Sequence, residues 1–139
     1  MRDKIHSVIR TAFEKDGWVV QRDPFRFPLE NVEVEIDLAV AKLANLIKEE
    51  DIILVEVKSF PNQDKSVIYD FYQAYGQYDF YRFWMDNKLP NKEIYLAVSS
   101  KTYHKLQAVG AIRAFIQAKK INFVVVSIKS EKIVEWLKH

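Results

Sequence analysis

The fold of this chain is decided by the stretch Ile52-Ile53-Leu54-Val55-Glu56-Val57-Lys58-Ser59-Phe60, which is apolar at its start and charged towards its end. Its β-branched opening predicts a buried strand rather than a solvent-facing one. Side chains alternate along a strand, so Glu56 and Lys58 lie on the same face. Because burying an ionised side chain costs several kcal/mol even after relaxation, these two charges need partners, an ion or a function.

A second stretch, residues 32–40, alternates between apolar and acidic side chains and predicts a strand. Glu33 and Glu35 are expected to form a solvated face of an edge strand, outside any site. Asp37 ends this acidic face and can approach Glu56 if the two strands pair. Two carboxylates at one point repel each other unless a cation lies between them, and their oxygens suit Mg²⁺ or Mn²⁺.

Composition limits the class of protein. The 139 residues, of which 49% are hydrophobic, fit one compact domain covering 1–139. The absence of cysteine excludes disulfides, zinc–thiolate sites and thiol nucleophiles, and favours a cytoplasmic protein. No apolar stretch reaches the roughly 18 residues of a membrane span, so no membrane association is expected. A net charge of +2 neither supports nor excludes binding to DNA.

Helical and strand patterns alternate along the rest of the chain. The first helix is predicted over 2–15 and ends at Gly17, followed by a strand over 18–21 that Asp23-Pro24 and then Pro28 interrupt. A surface turn is predicted over 45–51, and Asp64 or Ser66 is the expected cap of a long helix. The later predictions are that helix over 67–84, a loop over 87–91, a strand over 93–98, a helix over 103–119, and strands over 122–128 and 132–137. This order predicts an α/β fold with a mixed β-sheet flanked by helices.

The long helix carries a polar stripe at Gln73, Gln77 and Tyr81, which recur every four residues. Because this helix follows the charged strand, the stripe could hydrogen-bond the carboxylates or Lys58. The alternative is the wet edge of a helix, since tyrosine often buries its ring and keeps its hydroxyl at the surface. Of the three residues, Gln77 is the one most expected to support the site by a hydrogen bond.

Aromatic residues cover more of this helix than one core-facing stripe requires. A thick core is one explanation, and a surface for a dimer or another partner is the other. On the second explanation a homo-oligomer is expected. The residues are Tyr69, Tyr72, Tyr75, Tyr78, Phe80, Tyr81, Phe83 and Trp84.

Asp37, Glu56 and Lys58, followed by Gln77-x-x-x-Tyr81, resemble the motif of the PD-(D/E)xK nuclease superfamily and the helix of its RecB-like branch. The resemblance implies a restriction-endonuclease-like fold. The proline of the motif's name is replaced by Ile36, and that proline carries no chemistry. Ala41 is a second departure, because it leaves no carboxylate four residues after Asp37.

A resemblance to the XisH family, cyanobacterial proteins named fdxN element excision controlling factors, covers nearly the whole chain. It implies a role in DNA-element excision and a small XisI-like protein as a partner. The matching residues are His6, Arg10, Lys15-Asp16-Gly17-Trp18, Asp23-Pro24, Asp37-Leu38, Lys42-Leu43, Val55 to Phe60, Gln73-Ala74, Gly76-Gln77-Tyr78 and Tyr95-Leu96-Ala97-Val98.

The nuclease resemblance also implies a site. Asp37, Glu56 and the Val57 carbonyl would hold Mg²⁺ or Mn²⁺, while Lys58 would orient a water or neutralise developing charge. Gln77, with Gln73 and Tyr81, would support them. On the first helix, Glu14 is expected to reach the site as an extra acidic group, whereas His6 and Arg10 share its face and His6 is expected to serve packing or face solvent.

Two hypotheses remain open. The first is a metal-dependent, endonuclease-like protein that acts on DNA during excision. The second is a non-catalytic binding module that assists a site-specific recombinase or pairs with a XisI-like protein, with the three charged residues forming only a salt-bridge network.

Overall fold

The structure is a computed structural model that describes residues 4–42, 52–59, 67–88 and 92–139. Several expectations lie outside these ranges: the helix start at residue 2, the strand end at Phe60, the turn over 45–51, the caps Asp64 and Ser66, and the loop residues 89–91. Within the described ranges, none of the helices has the length and apolar character needed to cross a membrane.

The chain forms a mixed α/β fold with a single domain, as the sequence predicts. The elements in order are α1 Lys4–Lys15, β1 Trp18–Arg22, β2 Phe25–Leu29, β3 Val32–Ile36, β4 Leu38–Lys42, β5 Ile53–Val57, α2 Val67–Lys88, β6 Glu93–Ser99, α3 Ser100–Ala108, α4 Gly110–Ala118, β7 Phe123–Ser127 and β8 Lys132–Leu137.

Six strands form a mixed sheet in the order β1-β4-β5-β6-β7-β8, and β2 pairs with β3 in a separate ribbon. The pairs β5/β6 and β6/β7 are parallel, and their connections run through helices. The pairs β1/β4, β4/β5 and β7/β8 are antiparallel. This order places β5, with its charged carboxyl end, in the interior of the sheet.

Helices cover both faces of the sheet. The α1 residues Val8, Ile9 and Phe13 pack on one face against Val55 and its neighbours, while α2, α3 and α4 cover the other face, where Leu54 is fully buried. A strand covered on both faces must be apolar on both, which explains the continuous run before Glu56. By alternation, Glu56 lies on the side of α2.

The predicted strand over 32–40 is wrong as one element. Its first half, β3, pairs with β2, and its second half, β4, enters the six-stranded sheet between β1 and β5. The break falls at Asp37, whose side chain bonds to a neighbouring strand instead of continuing the alternation. Pro28 also does not interrupt a strand, because it lies within β2, where it pairs with Glu33 in a two-stranded ribbon.

The predicted helix over 103–119 is two helices. It begins earlier, at Ser100, where the Ser99 hydroxyl accepts a hydrogen bond from the Thr102 N–H at 3.1 Å. It then breaks at Val109, which has an extended backbone with φ −94° and ψ 109° and is followed by Gly110. A β-branched residue followed by glycine has low helix propensity, and the neighbouring helical residues do not offset it.

The other helix and strand boundaries in the structure lie close to those predicted from the sequence. Gly17, two residues after the end of α1 at Lys15, has φ +88°, the left-handed conformation expected of a residue that ends a helix. The long helix α2 continues one turn beyond residue 84, to Lys88, so the first residues of the predicted loop over 87–91 are helical.

Candidate functional site

Asp37 lies where the chain passes from the β2/β3 ribbon into the six-stranded sheet. In the antiparallel register of β4 and β5, Leu38 is opposite Val55, so Asp37 comes beside Glu56 and Val57. The Val57 N–H donates a hydrogen bond to Asp37 Oδ2 at 2.8 Å, and the Asp37 N–H donates to Glu56 Oε1 at 3.4 Å. The two carboxylates are therefore held on adjacent strands by backbone donors.

Glu56 is the buried charge of the site, with only 5% of its surface exposed. Burial is the main reason why the pKa of Glu56 rises from 4.5 to about 7, and the negative charge of Asp37 adds to the rise. Lys58 acts in the opposite direction without cancelling the shift. The ionised form of Glu56 is therefore destabilised, mainly by burial and further by the charge of Asp37.

Lys58 follows the last residue of β5. Its backbone N–H donates to the Ala97 carbonyl at 3.0 Å, which continues the parallel pairing with β6 and fixes the direction of the side chain. Lys58 Nζ lies 3.3 Å from Glu56 Oε2 and donates a hydrogen bond to Gln77 Oε1. The expected Glu56–Lys58 face and the link to Gln77 are both present.

The polar stripe of α2 divides into three environments. Gln77 contacts Lys58, and Gln73, one turn earlier, is exposed to solvent. Tyr81 is buried, and its hydroxyl donates to the Glu35 carbonyl at 3.4 Å. Burial, followed by the charges of Glu56 and Asp37, raises the pKa of Tyr81 to about 12. The wet-edge interpretation therefore does not describe Tyr81.

A polar network from α1 reaches the site from the opposite face of the sheet. His6 is 5% exposed, its Nε2 lies 3.0 Å from Asp23 Oδ1, and its Nδ1 lies 3.8 Å from Asp37 Oδ1. Arg10 donates to Asp23 Oδ2 at 2.6 Å, and its Nε lies 3.7 Å from Glu14 Oε2. Glu14 thus joins the outer end of this network, through Arg10.

His6 is the residue that sequence reasoning set aside and the structure brings to the site. The sequence features that could have indicated this role are the i, i+4 spacing of His6 and Arg10 and the acidic residue Asp23. Its contact with Asp37 joins residues 31 positions apart, which no local pattern predicts.

The structure brings together two carboxylates, those of Asp37 and Glu56, beside Val57, whose carbonyl is the further oxygen expected from the sequence. Among the described residues, no group of three or more histidine, cysteine, aspartate or glutamate side chains is arranged to hold a metal ion. The two glutamates of the edge ribbon point to solvent, where Arg26 Nε lies 3.6 Å from Glu33 Oε1 and 3.0 Å from Glu35 Oε1. Asp37 and Glu56 are therefore the acidic groups that could bind a cation here.

Comparison with known proteins places this geometry in a family. A crystal structure of an fdxN element excision controlling factor protein from Anabaena variabilis matches with a TM-score of 0.85 and 30% sequence identity, covering 99% of this chain and 100% of that one. A crystal structure of an XisH family protein from Nostoc punctiforme matches with a TM-score of 0.84 and 29% identity, covering 98% of this chain and 100% of that one. No curated protein sequence matches significantly. The family model for XisH protein matches residues 1–134, and the chain therefore belongs to the XisH family.

Proposed function

We propose that this chain is a divalent-metal-dependent DNA endonuclease that acts in the excision of a DNA element. The observation that carries the proposal is the convergence of Asp37, Glu56 and Lys58, with Asp37 held by the Val57 N–H and Lys58 Nζ 3.3 Å from Glu56. The excision role is supported by the relative from Anabaena variabilis, which is called an fdxN element excision controlling factor.

The chemistry of the donor set fits Mg²⁺ or Mn²⁺. Glu56 is buried beside Asp37, and burial, together with repulsion by the charge of Asp37, raises its pKa to about 7 despite the nearby Lys58. A divalent cation at both carboxylates would remove this repulsion. Magnesium keeps several waters and commonly uses one or two protein carboxylates, so Asp37, Glu56 and the Val57 carbonyl suffice to hold it.

The bound cation would lower the pKa of a water and stabilise charge on the scissile phosphate. Lys58, tethered by Gln77, orients the attacking water or neutralises the charge that develops on the phosphate. Asp37 keeps its orientation through the Val57 N–H. Tyr81 remains a neutral hydroxyl, because its pKa is about 12, and it donates a hydrogen bond to the Glu35 carbonyl.

The test measures metal binding and DNA cleavage separately. Binding of Mg²⁺ or Mn²⁺ is followed by calorimetry, and cleavage by the nicking of supercoiled plasmid. Asp37→Ala and Glu56→Ala should lose both, because each removes a ligand. Lys58→Ala should keep metal binding and lose cleavage by roughly 10²-fold or more, since lysine is not an oxygen ligand. Glu33→Ala, on the exposed ribbon, is the matched control and should change neither.

Failure to bind metal in the wild-type protein would contradict the proposal, and so would equal binding in the wild type and both carboxylate variants. Cleavage that is unchanged in Lys58→Ala would remove Lys58 from the mechanism while leaving the metal site in place.

A non-catalytic binding module is the second candidate. The observation that favours it is that the site charges already have partners within the chain: Lys58 with Glu56 and Gln77, and Asp37 with His6 and the Val57 N–H. On this reading the network stabilises the fold, which then binds a site-specific recombinase or a small XisI-like protein. Binding of such a partner with equal affinity by wild type and Lys58→Ala, without any plasmid nicking, would favour this candidate.

A further inference from the structure

The outward face of α2 exposes four large rings to solvent. Tyr69, Tyr72, Phe80 and Phe83 are 68%, 58%, 45% and 60% exposed, whereas Tyr78 on the inward face is fully buried. The expectation of a thick core accounts for Tyr78 and Tyr81 but not for these four. Solvated helix faces are normally polar, so this face, called the ring face below, requires an explanation.

The ring face is symmetric about Gly76. Tyr69 and Phe83 lie seven residues before and after it, and Tyr72 and Phe80 lie four residues before and after it. At about 100° per residue, all four rings lie within about 40° of the direction of Gly76 around the helix axis. The pattern of rings is therefore the same from either end of the helix.

We propose that the ring face binds the ring face of a second copy of this chain, with the two α2 helices antiparallel and the two-fold axis at Gly76. A two-fold interface uses the same patch on both subunits, so the patch must be complementary to itself. In this register Tyr69 packs beside Phe83 of the second copy, and Tyr72 beside its Phe80. Each close pair places one aromatic ring against another, and such pairs stabilise an interface beyond the contribution of the apolar area that they bury.

Gly76 supports a close crossing of two helices. A Cβ atom built at Gly76 meets no atom of the described residues within 4 Å, so none of these residues requires a glycine there. Glycine in a helix interior costs about 1 kcal/mol relative to alanine. A small residue at a crossing lets two helix backbones approach towards the lower end of the usual separation, roughly 8 to 10 Å.

The four rings supply most, but not all, of the area that a specific interface needs. At roughly 200 Å² per ring, the four exposed fractions leave roughly 450 Å² on each copy and roughly 900 Å² on two. Specific interfaces bury about 1,200 to 2,000 Å² in total, and the helix backbone around Gly76 adds to the contribution of the rings. No charged residue of α2 lies within about 40° of Gly76 around the helix axis, as expected for the centre of an interface, and Asp79, about 60° away and paired with Arg82, lies at the rim.

The first test is the association state by sedimentation equilibrium. The wild-type chain should be a dimer, and Gly76→Glu should weaken it by roughly 30-fold or more, because the change places two carboxylates at the two-fold axis. Glutamate is a better helix former than glycine and the Cβ position is open, so the circular dichroism spectrum should not change. Val134→Glu, at an apolar residue of β8 that is 56% exposed, is the matched control and should leave the dimer intact.

The second test determines the register of the two α2 helices by cysteine cross-linking. Because the chain contains no cysteine of its own, only the introduced cysteines can form a disulfide. Gly76→Cys should form a disulfide-linked dimer on mild oxidation. A mixture of Tyr69→Cys and Phe83→Cys should cross-link mainly to each other. A monomeric wild-type chain, a dimer that tolerates Gly76→Glu, dissociation by Val134→Glu, or cross-linking of each cysteine variant only to itself would each overturn the proposal.

Discussion

Replacing Glu56 by glutamine should stabilise the metal-free fold at neutral and higher pH. The native structure buries this carboxyl beside Asp37, which raises its pKa from 4.5 to about 7. At about 1.4 kcal/mol per pH unit, ionising Glu56 in the folded state costs roughly 3 kcal/mol more than ionising it in the unfolded chain. Glutamine keeps an acceptor for the Asp37 N–H and avoids that cost, although it gives up the ion pair with Lys58.

The sign of the pH dependence follows from proton binding. Between pH 4.5 and about 7 the unfolded chain has ionised Glu56 while the folded protein still holds the proton. The contribution of Glu56 to stability is therefore complete below pH 4.5, falls as the pH rises through this window, and is constant above it. The free energy of unfolding of Glu56→Gln minus that of the wild type should rise by roughly 3 kcal/mol from pH 4.5 to pH 8.

The assay is urea unfolding, followed by circular dichroism in the presence of a chelator, at a series of pH values. Subtracting the wild-type curve removes the contributions of other groups that titrate equally in both proteins. The matched control is Glu33→Gln on the exposed ribbon, for which the difference should change little with pH. A flat difference for Glu56→Gln across pH 4.5 to 8 would refute the argument that burial and Asp37 destabilise the Glu56 carboxylate.

Two further predictions concern the scaffold. Gly17→Ala should lower the free energy of unfolding by about 1 to 2 kcal/mol, because Gly17 has φ +88° and an L-residue is strained there; an unchanged urea midpoint would contradict this reasoning. Tyr78→Phe should cost about 1 to 3 kcal/mol, because the fully buried hydroxyl accepts the Asn122 N–H at 3.0 Å and its loss leaves that donor without its partner; thermal unfolding at the wild-type temperature would exclude such a role.

Part of the site depends on the geometry of a single strand or helix and can therefore be predicted from the sequence. Alternation along β5 alone places Glu56 and Lys58 on one face, and helical spacing alone aligns Gln77 with Tyr81. The approach of Asp37 to Glu56 required one further assumption, that the two strands pair, and the register of β4 and β5 confirms it.

Other features depended on which surfaces the folded chain brings together. The break at Asp37 arises because β3 and β4 join different sheets, and the alternating pattern of 32–40 is compatible with one strand or two. His6 approaches Asp37 only because α1 packs across the sheet at this point.

The aromatic residues of α2 separate what the sequence determined from what the tertiary structure decided. The sequence determined a long helix with rings on more than one face. The tertiary structure decided that Tyr78 and Tyr81 are buried and that Tyr69, Tyr72 and Phe83 are exposed. The physical reason is that periodicity sets the angles between side chains on one helix, whereas only the packing of that helix on the sheet sets which direction is the core.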